Sequence, residues 1–406
     1  ARGGIVDGRA RAKSGDNDPS ARAWTVSDAR GARMRACARR WRPRAFTASS
    51  DPRVARQRRV LGRRTATNDG GGEVSLVVSP TAASAREREN ERVLLVGEGD
   101  FSFALALARR ITARGARVLA TSLESEDVIA QSWRGADNVS ELAGMPGAST
   151  RHGVDATTLT THFERGSFDR VVFNFPHVAG KAKMDRNRSL LGMFLREAKI
   201  VCAPNGFVEV SLAPGQGGTR ADGERMREYG NSWQTYSRGA ENGMLLVEAT
   251  TFADEAWRAE GYRSRGHWRG LGDERGFVTD GGVVHVFCDE DRARALGLEC
   301  DHCVPFTRDV SVWAAESAED ADSATAVREA FEGATGDADA RVVSVERVDE
   351  WRDESTGRLS ETFRVEYSSR TLALTRERVN GWNDAARLAL GSRLRGQLKR
   401  GDGESF

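Results

Sequence analysis

The apolar positions between residues 91 and 175 predict parallel strands that alternate with helices. Residues 93–96 (VLLV) form a continuous apolar run, which is typical of a strand buried inside a parallel sheet. Phe101, Leu105 and Ala108 then recur at helical spacing, so a helix follows this strand directly. Further strands are predicted at 116–125 and in the segment that ends at Asn174. The pattern favours an α/β fold with a buried parallel sheet.

Two glycines, Gly97 and Gly99, separate the first strand from its helix. Glycine lets the backbone approach a ligand closely, and free N–H groups at a helix start can hold a carboxylate or phosphate. Taken alone, this G-x-G turn fits a plain strand–helix connection in roughly half of cases, and the rest divide between nucleotide and S-adenosylmethionine sites. The turn therefore predicts a candidate site without fixing its ligand.

Polar residues also end the next three predicted strands. Glu124 ends the second strand, where a Rossmann-like fold places the carboxylate that binds a ribose hydroxyl. Asp155 ends the third strand, and the fourth ends in Asn174, Phe175, Pro176 and His177. Three cofactor-facing strand ends followed by one substrate-facing end are the layout of a class I methyltransferase.

Several strings of this region resemble the successive motifs of one family. They are GEGDFSFALAL, ATSLES, HGVDATTL, FNFPHVAGK and NRSLLGMFLREAKIVCAPNGFVEVSL. They resemble the large-subunit rRNA (uridine-N3)-methyltransferase-like family over roughly residues 90–288, and GEGDFSF paired with FNFPH is the most specific part. The resemblance implies a Rossmann-like class I methyltransferase domain that uses S-adenosylmethionine. Phe101 stands where other methyltransferases have a third glycine, as in the family.

One departure from the family lies after SLAPGQ. The family continues briefly to a tryptophan, whereas this chain inserts GGTRADGERMREYGNS, residues 217–232, before Trp233. The rim of the substrate pocket is therefore expected to differ from that of the family.

The resemblance also implies roles for the residues at the cofactor-facing ends. Cofactor binding is assigned to Gly97, Glu98, Gly99, Asp100, Glu124 and Asp155. The two glycines would contact the methionine part, Glu124 the ribose and Asp155 the adenine amine. Structural alternatives stay open, because Glu124 suits a helix start and Asp155 suits a cap for a helix beginning at Ala156.

The expected catalytic residues are Asn174, Phe175, Pro176 and His177. The amide of Asn174 can accept the N3–H of uracil while its NH₂ group donates to a uracil carbonyl. Phe175 offers a stacking face for a base that has left its RNA stack. Asparagine cannot remove a proton, so His177 is the candidate base, with phosphate binding as its alternative role.

A second, independent resemblance covers residues 305–400. The strings PFTRDVSVW, SATAVREAFEGA, VVSVERVDEW and ETFRVEYSSRTLALTRERVN are similar to the ferredoxin-fold anticodon-binding domain that closes the phenylalanyl-tRNA synthetase β chain. Apolar alternation at Phe363, Val365 and Tyr367, followed by a helical pattern, separately predicts a split β-α-β packing. The resemblance implies a ferredoxin-like α+β domain that contacts RNA.

The chain of 406 residues is long enough for two to three domains. We expect an Arg-rich, disordered leader at 1–88, the methyltransferase domain at 89–290, a linker at 291–304 and the anticodon-binding domain at 305–406. The segment that starts at Met34 resembles an organelle transit peptide. An RNA-binding tail, or untranslated upstream sequence, explains the leader equally well.

Charge is distributed unevenly along the chain. Residues 1–73 contain 18 basic and 7 acidic side chains, a net charge of +11, so the remainder carries −9. Any RNA contact must then come from local basic patches. The first patch follows the FNFPH motif and comprises Lys181, Lys183, Arg186 and Arg188; the second comprises Arg263, Arg265, His267 and Arg269. Solvated loop charges are the alternative for both.

Cysteine content and hydropathy indicate in which cellular compartment the protein is expected. Five cysteines without a disulfide-like arrangement indicate a reducing compartment, and no run of eighteen apolar residues predicts a membrane helix. We therefore expect a cytoplasmic, nuclear or nucleolar protein, or an organellar one if the leader directs import. The Cys300–Cys303 segment (CDHC) has no fourth ligand nearby, so no metal is expected.

These observations favour an S-adenosylmethionine-dependent rRNA (uridine-N3)-methyltransferase with RNA as its partner. One alternative is a tRNA-modifying enzyme whose C-terminal domain holds the anticodon arm. The other is a catalytically silent, synthetase-associated RNA-binding protein that keeps both folds. The sequence does not fix the oligomeric state.

Overall fold

The computed structural model describes residues 89–131, 134–178, 184–264, 276–314, 322–336 and 339–393. The predicted leader, Lys181 and Lys183, and three members of the second basic patch (Arg265, His267 and Arg269) lie outside these ranges. The described residues all belong to one compact unit, Ser75–Phe406.

A seven-stranded sheet forms the larger part of this unit. Its strands are β1 (Arg92–Val96), β2 (Arg117–Thr121), β3 (Ala148–Arg151), β4 (Phe168–Asn174), β5 (Cys202–Leu212), β6 (Met244–Thr251) and β7 (Val283–Asp289). The order is β3-β2-β1-β4-β5-β7-β6, and β7 runs antiparallel to both of its neighbours while β1 to β5 are mutually parallel. This order confirms the predicted Rossmann-like class I methyltransferase fold.

Helices cover both faces of the sheet. They are α1 (Ser102–Ile111), α2 (Glu126–Ala130), α3 (Gly135–Gly144), α4 (Met184–Val201), α5 (Thr235–Ala240), α6 (Asp254–Ala259) and α7 (Glu290–Ala295). Strand β1 contributes to two hydrophobic cores, because Leu94 packs in one cluster and Leu95 in the other. Alternate side chains of a strand point to opposite faces, so a fully apolar strand serves both cores.

A three-stranded antiparallel sheet forms the C-terminal domain. Its strands are β8 (Phe306–Trp313), β9 (Arg341–Arg352) and β10 (Leu359–Ser368), in the order β8-β10-β9, with helices α8 (Ser323–Thr335) and α9 (Arg376–Arg393). Phe363, Val365 and Tyr367 of β10 are buried in one core with Phe331 of α8. The β-α-β-β-α order agrees with the ferredoxin-like fold that the sequence predicted.

The segment 291–304, expected as a linker, is packed. It contains most of α7, and Ala293, Leu298 and Cys300 are buried in the same core as strands β4 and β5. Spaced apolar residues in a short helix and loop give no clear periodicity, so the sequence did not reveal this packing. The two domains are therefore joined through a structured segment.

Side chains also connect the two domains directly. The hydroxyl of Tyr236 in α5 lies 3.5 Å from the carbonyl oxygen of Leu372 and 3.4 Å from the amide nitrogen of Leu374. Arg378 of α9 forms an ion pair with Glu290 of α7. These contacts hold the C-terminal domain against the methyltransferase domain.

Within the described ranges, every helix is too short or too polar to cross a membrane.

Candidate active site

The two glycines after β1 have different structural requirements. Gly97 has a φ of +71°, and a Cβ added to it would lie 2.5 Å from Cε2 of Phe173 in β4. Both features exclude a side chain at position 97. A Cβ on Gly99 would meet no heavy atom of the described residues within 4 Å. The open side of the turn is therefore at Gly99, where a ligand can approach the backbone.

Side chains of the turn accept hydrogen bonds from some of the backbone amides at the start of helix α1. Oδ1 of Asp100 accepts hydrogen bonds from the amide and the hydroxyl of Ser102, at 3.0 and 2.7 Å. Oε2 of Glu98 accepts one from the amide of Ala104, at 3.1 Å. Hence the expectation of free N–H groups at this helix start is wrong for Ser102 and Ala104. The neighbouring carboxylates act as caps because helix-start amides otherwise lack partners.

Burial changes the charge state of Glu98. Its carboxyl group is enclosed, and burial raises its pKa to about 8 against the lowering effect of the Ala104 amide. The nearby charge of Asp100 raises it further. Glu98 is therefore mainly a neutral acid at neutral pH. The predicted contact of Glu98 with the cofactor stays a prediction.

Glu124 and Asp155 lie beyond the ends of their strands. Strand β2 ends at Thr121 and β3 ends at Arg151, so each acidic residue is in the loop that follows. Glu124 is exposed, and its carbonyl accepts from the amide of Gly153 at 3.3 Å. This bond ties the two loops together, so both belong to the same edge of the sheet.

Asp155 caps a turn. Its Oδ1 accepts from the amide and the hydroxyl of Thr157, both at 2.8 Å. The helix that was expected at Ala156 is instead a turn, followed by a 3₁₀ helix at Leu159–Thr161. These bonds resemble the helix cap that was the alternative role of Asp155. The predicted contact of Asp155 with adenine stays a prediction.

Two residues at this edge were missed by sequence reasoning. Leu123 is 59% exposed although it lies next to the buried end of β2. Nδ1 of His152 is buried and has no hydrogen-bond partner among the residues that the structure describes, and the His152 ring packs 5.4 Å from Phe101. The only signal was position in the chain, because Leu123 directly precedes Glu124 and His152 lies three residues before Asp155.

Asn174 ends β4, as predicted, and lies opposite Ser211 of β5. The hydroxyl of Ser211 donates to Oδ1 of Asn174 at 2.6 Å. Nδ2 of Asn174 is buried, with no partner in the described part of the chain. The amide was expected to accept and to donate at the substrate. Its oxygen already accepts one hydrogen bond, from Ser211, whereas its NH₂ group has no partner in the described residues.

Phe175 turns the chain sharply at the strand end. It has a φ of +48°, which is rare for a residue with a side chain, and its amide donates to the carbonyl of Ser211 at 2.8 Å. Its ring packs against Phe252 and Phe277, with centroids 4.9 and 5.1 Å away. The ring is half-buried, so the predicted stacking face is partly used by protein. Pro176 is buried, whereas His177 is exposed.

The first basic patch is divided between two environments. Arg186 is exposed. Arg188 donates from Nε to the carbonyl of Ser232 at 3.0 Å and from Nη2 to the carbonyl of Gly230 at 2.5 Å. Arg188 therefore holds the inserted segment in place, and the structure favours this role over the RNA contact that the sequence suggested.

The inserted segment 217–232 is folded against the sheet. The carboxylate of Asp222 accepts from the amides of Gly217, Gly218 and Thr219 at 3.3, 2.8 and 3.1 Å. Gly217 packs on His285 of β7, since an added Cβ would lie 2.4 Å from its Nε2. Burial lowers the pKa of His285 to about 4, so its ring is neutral. The insertion thus adds an ordered wall beyond β5.

The cysteines of the CDHC segment are part of the packing. Cys300 is buried, and burial raises the pKa of its thiol to about 12. Across the described ranges, no group of three or more His, Cys, Asp or Glu side chains is arranged to hold a metal ion.

Comparison with known proteins agrees with this geometry. Residues 94–266 match the BMT5-like family model. Its description is rRNA (uridine-N3-)-methyltransferase BTM5-like, and the matched segment runs from β1 past α6. The match confirms the resemblance found in the motifs of the methyltransferase domain. The cofactor of the BMT5-like family is S-adenosylmethionine.

Two curated relatives are named after a ferredoxin-fold anticodon-binding domain. The human ferredoxin-fold anticodon-binding domain-containing protein 1 is 36% identical over 201 residues, which cover 48% of this chain and 30% of that protein. Its mouse homologue is 36% identical over 221 residues, covering 53% and 33%. The chain thus spans about a third of the length of these relatives.

One similar solved structure is the 16S rRNA (adenine(1408)-N(1))-methyltransferase from Catenulisporales acidiphilia. It is 16% identical, with 51% of this chain and 91% of that chain covered, and the TM-score is 0.32.

Proposed function

We propose that this chain is an S-adenosylmethionine-dependent RNA methyltransferase whose target is N3 of a uridine in rRNA. One observation carries the proposal: Asn174, at the end of β4, offers a buried and unpartnered NH₂ group, counted over the described residues. It does so in a segment that matches a family described by this reaction.

The residues at the carboxyl edge of the sheet fit the cofactor. Gly99 leaves open space beside the backbone of the turn, and Nδ1 of His152 is buried without a partner in the described ranges. Glu124 and the exposed Leu123 offer a carboxylate and an apolar surface for the adenosine, with Asp155 in the next loop. The cofactor supplies an electrophilic methyl group.

Uracil N3 becomes a good nucleophile only after it loses its proton. The deprotonated N3 would then accept the methyl group that the cofactor supplies, and the electron pair of the carbon–sulfur bond would stay with sulfur. Asn174 cannot take the N3 proton, so we assign that step to His177, three residues further on and exposed. The target base must be unstacked to reach the strand end.

The C-terminal domain supplies a second place to hold RNA. The chain after residue 73 is acidic overall, so a single broad basic face is not what binds the RNA. A second RNA-contacting domain fixed to the methyltransferase domain adds contacts at high effective concentration. The anticodon-binding name of the curated relatives favours tRNA as a second candidate substrate, methylated by the same residues.

Paired variants test the assigned roles. Asn174→Ala and His177→Ala should bind S-adenosylmethionine as the wild type does in calorimetry. Their turnover on in vitro transcribed rRNA should fall by about 10²–10³, since each removes one positioned group at the reacting centre. Asn205→Ala, near the start of β5, and His162→Ala are matched controls away from the strand end and should keep full turnover. Wild-type turnover in Asn174→Ala would refute the proposed site.

A further inference from the structure

Ser211 contacts the end of β4 in two ways. It lies in β5 directly opposite Asn174 and is 1% exposed. Its hydroxyl donates to Oδ1 of Asn174 at 2.6 Å, and its carbonyl accepts from the amide of Phe175 at 2.8 Å. The side chain fixes the amide of Asn174, while the backbone fixes the turn that follows it.

The first of these bonds holds the Asn174 amide in place at the strand end, with its oxygen towards Ser211. An asparagine amide has an acceptor end and a donor end of nearly equal size, and its neighbours decide the orientation. Ser211 binds the acceptor end, so the donor end, Nδ2, is the one left without a partner in the described residues. A flipped amide would present an acceptor at the same place.

Donor and acceptor suit different bases. A uracil that loses its N3 proton carries negative charge on its two carbonyl oxygens, and a positioned N–H group stabilises that charge. An exocyclic amine, as in adenine or cytosine, carries hydrogens and calls for an acceptor instead. The orientation of the Asn174 amide is thus a choice between the two kinds of base.

We propose that Ser211 is a positioning residue that fixes the Asn174 amide at the strand end with Nδ2 towards the base, where that N–H group stabilises the charge of a deprotonated imide. This inference rests on the proposed function, since it concerns the same site. It adds a residue on a different strand. Ser211 acts through Asn174 and touches neither the base nor the methyl group.

The test compares three variants of Ser211 in the full chain. Ser211→Ala removes the hydroxyl, Ser211→Thr keeps it, and Ser211→Cys replaces it with a weaker donor of similar size. Substrate is in vitro transcribed large-subunit rRNA of the source organism, and methylated nucleosides are quantified by mass spectrometry. Cofactor affinity is measured by calorimetry, and folding by thermal unfolding.

We expect S-adenosylmethionine affinity within about twofold of wild type in all three variants, because the altered group acts at the substrate side. The kcat of Ser211→Ala should fall at least tenfold, with Ser211→Thr close to wild type and Ser211→Cys between them. The rising limb of the pH–rate profile should move to higher pH in Ser211→Ala, since the deprotonated base is less stabilised. A purely structural role would not move this limb.

A complementary variant exchanges the donor. Asn174→Asp keeps an oxygen for Ser211 and replaces Nδ2 by an acceptor, so it should abolish uridine methylation while keeping cofactor affinity. If Ser211→Ala fails to fold, Ser211→Cys and Asn174→Asp carry the test.

Two failures can be told apart. A wild-type chain that binds the cofactor but yields no N3-methyluridine overturns the proposed function and this inference with it. Wild-type methylation of uridine together with unchanged kcat and pH profile in Ser211→Ala overturns the inference alone.

Discussion

Glu290 forms an ion pair with Arg378 through both of its carboxylate oxygens, across the junction of the two domains. Each of its carboxylate oxygens lies 3.0 Å from a guanidinium nitrogen of Arg378, and Oε2 also accepts from the amide of Ala373 at 2.8 Å. The Glu290 side chain is only 13% exposed. One carboxylate at the start of α7 therefore fixes both α9 and the chain that leads into it.

Removal of this pair should loosen the domain junction. Arg378→Ala leaves the carboxylate of Glu290 largely buried, with the Ala373 amide and the more distant Arg294 as its remaining partners. We therefore expect a loss of about 1–3 kcal/mol in unfolding free energy. Limited proteolysis should then cut between the domains faster. Arg364→Ala is the matched control, because Arg364 forms a similar two-point pair with Asp309 on an exposed strand. An exposed pair contributes little, so the control should change by less than about 1 kcal/mol.

Truncation at two sites tests the packed segment after β7. A fragment that ends at Asp289 loses the buried Ala293, Leu298 and Cys300, whereas one that ends at Val304 keeps them. We expect the longer fragment to unfold at a clearly higher temperature, since the shorter one leaves a hole in the main core. Equal melting temperatures in calorimetry would show that residues 291–304 behave as a plain linker.

The two glycines of the turn should respond differently to substitution. Gly97→Ala forces a side chain into Phe173 at a left-handed φ, so it should destabilise the domain by about 1–3 kcal/mol. Gly99→Val points into open space and should leave the melting temperature near wild type, yet abolish S-adenosylmethionine binding. Calorimetric titration measures the affinity for S-adenosylmethionine. Wild-type affinity in Gly99→Val would show that the cofactor does not bind at this turn.

The parts that the sequence predicted were those with strong local patterns. The apolar run at 93–96, the strand end at Asn174 and the alternation in β10 all appear in the structure. Each depends on periodicity along one strand, which is visible in a single sequence.

What the sequence did not reveal depends on contacts between distant residues. Ser211 lies 37 positions from Asn174, and Arg188 reaches carbonyls more than 40 positions away. Glu98 and Asp100 matched family positions, but only the fold shows that both turn towards the helix start. Strand pairing and burial decide such roles, and neither is encoded in residue spacing.

Glu98 should give the fold a pH dependence of known sign. Its carboxyl has an ordinary pKa of 4.5 when unfolded and a pKa of about 8 when folded. Below 4.5 both states are protonated, so stability is full; as the pH rises towards 8, only the unfolded state ionises and stability falls. Glu98→Gln keeps a neutral acceptor for Ala104 and cannot ionise.

Chemical unfolding from pH 5 to pH 8.5 checks this. The variant should match the wild type near pH 5 and become more stable than the wild type as the pH rises. A difference in unfolding free energy that stays constant over this range would mean that Glu98 is ionised in the folded protein.

Transfer of a methyl group to N3 of uridine is tested most directly by mapping the methylated product. The full chain is incubated with deuterated-methyl S-adenosylmethionine and in vitro transcribed rRNA, with total tRNA in a parallel reaction. The RNA is then digested to nucleosides for mass spectrometry. We predict deuterated N3-methyluridine from rRNA in the wild type and none in Asn174→Ala. Label on another atom or base, or no label although calorimetry shows bound cofactor, would contradict the account.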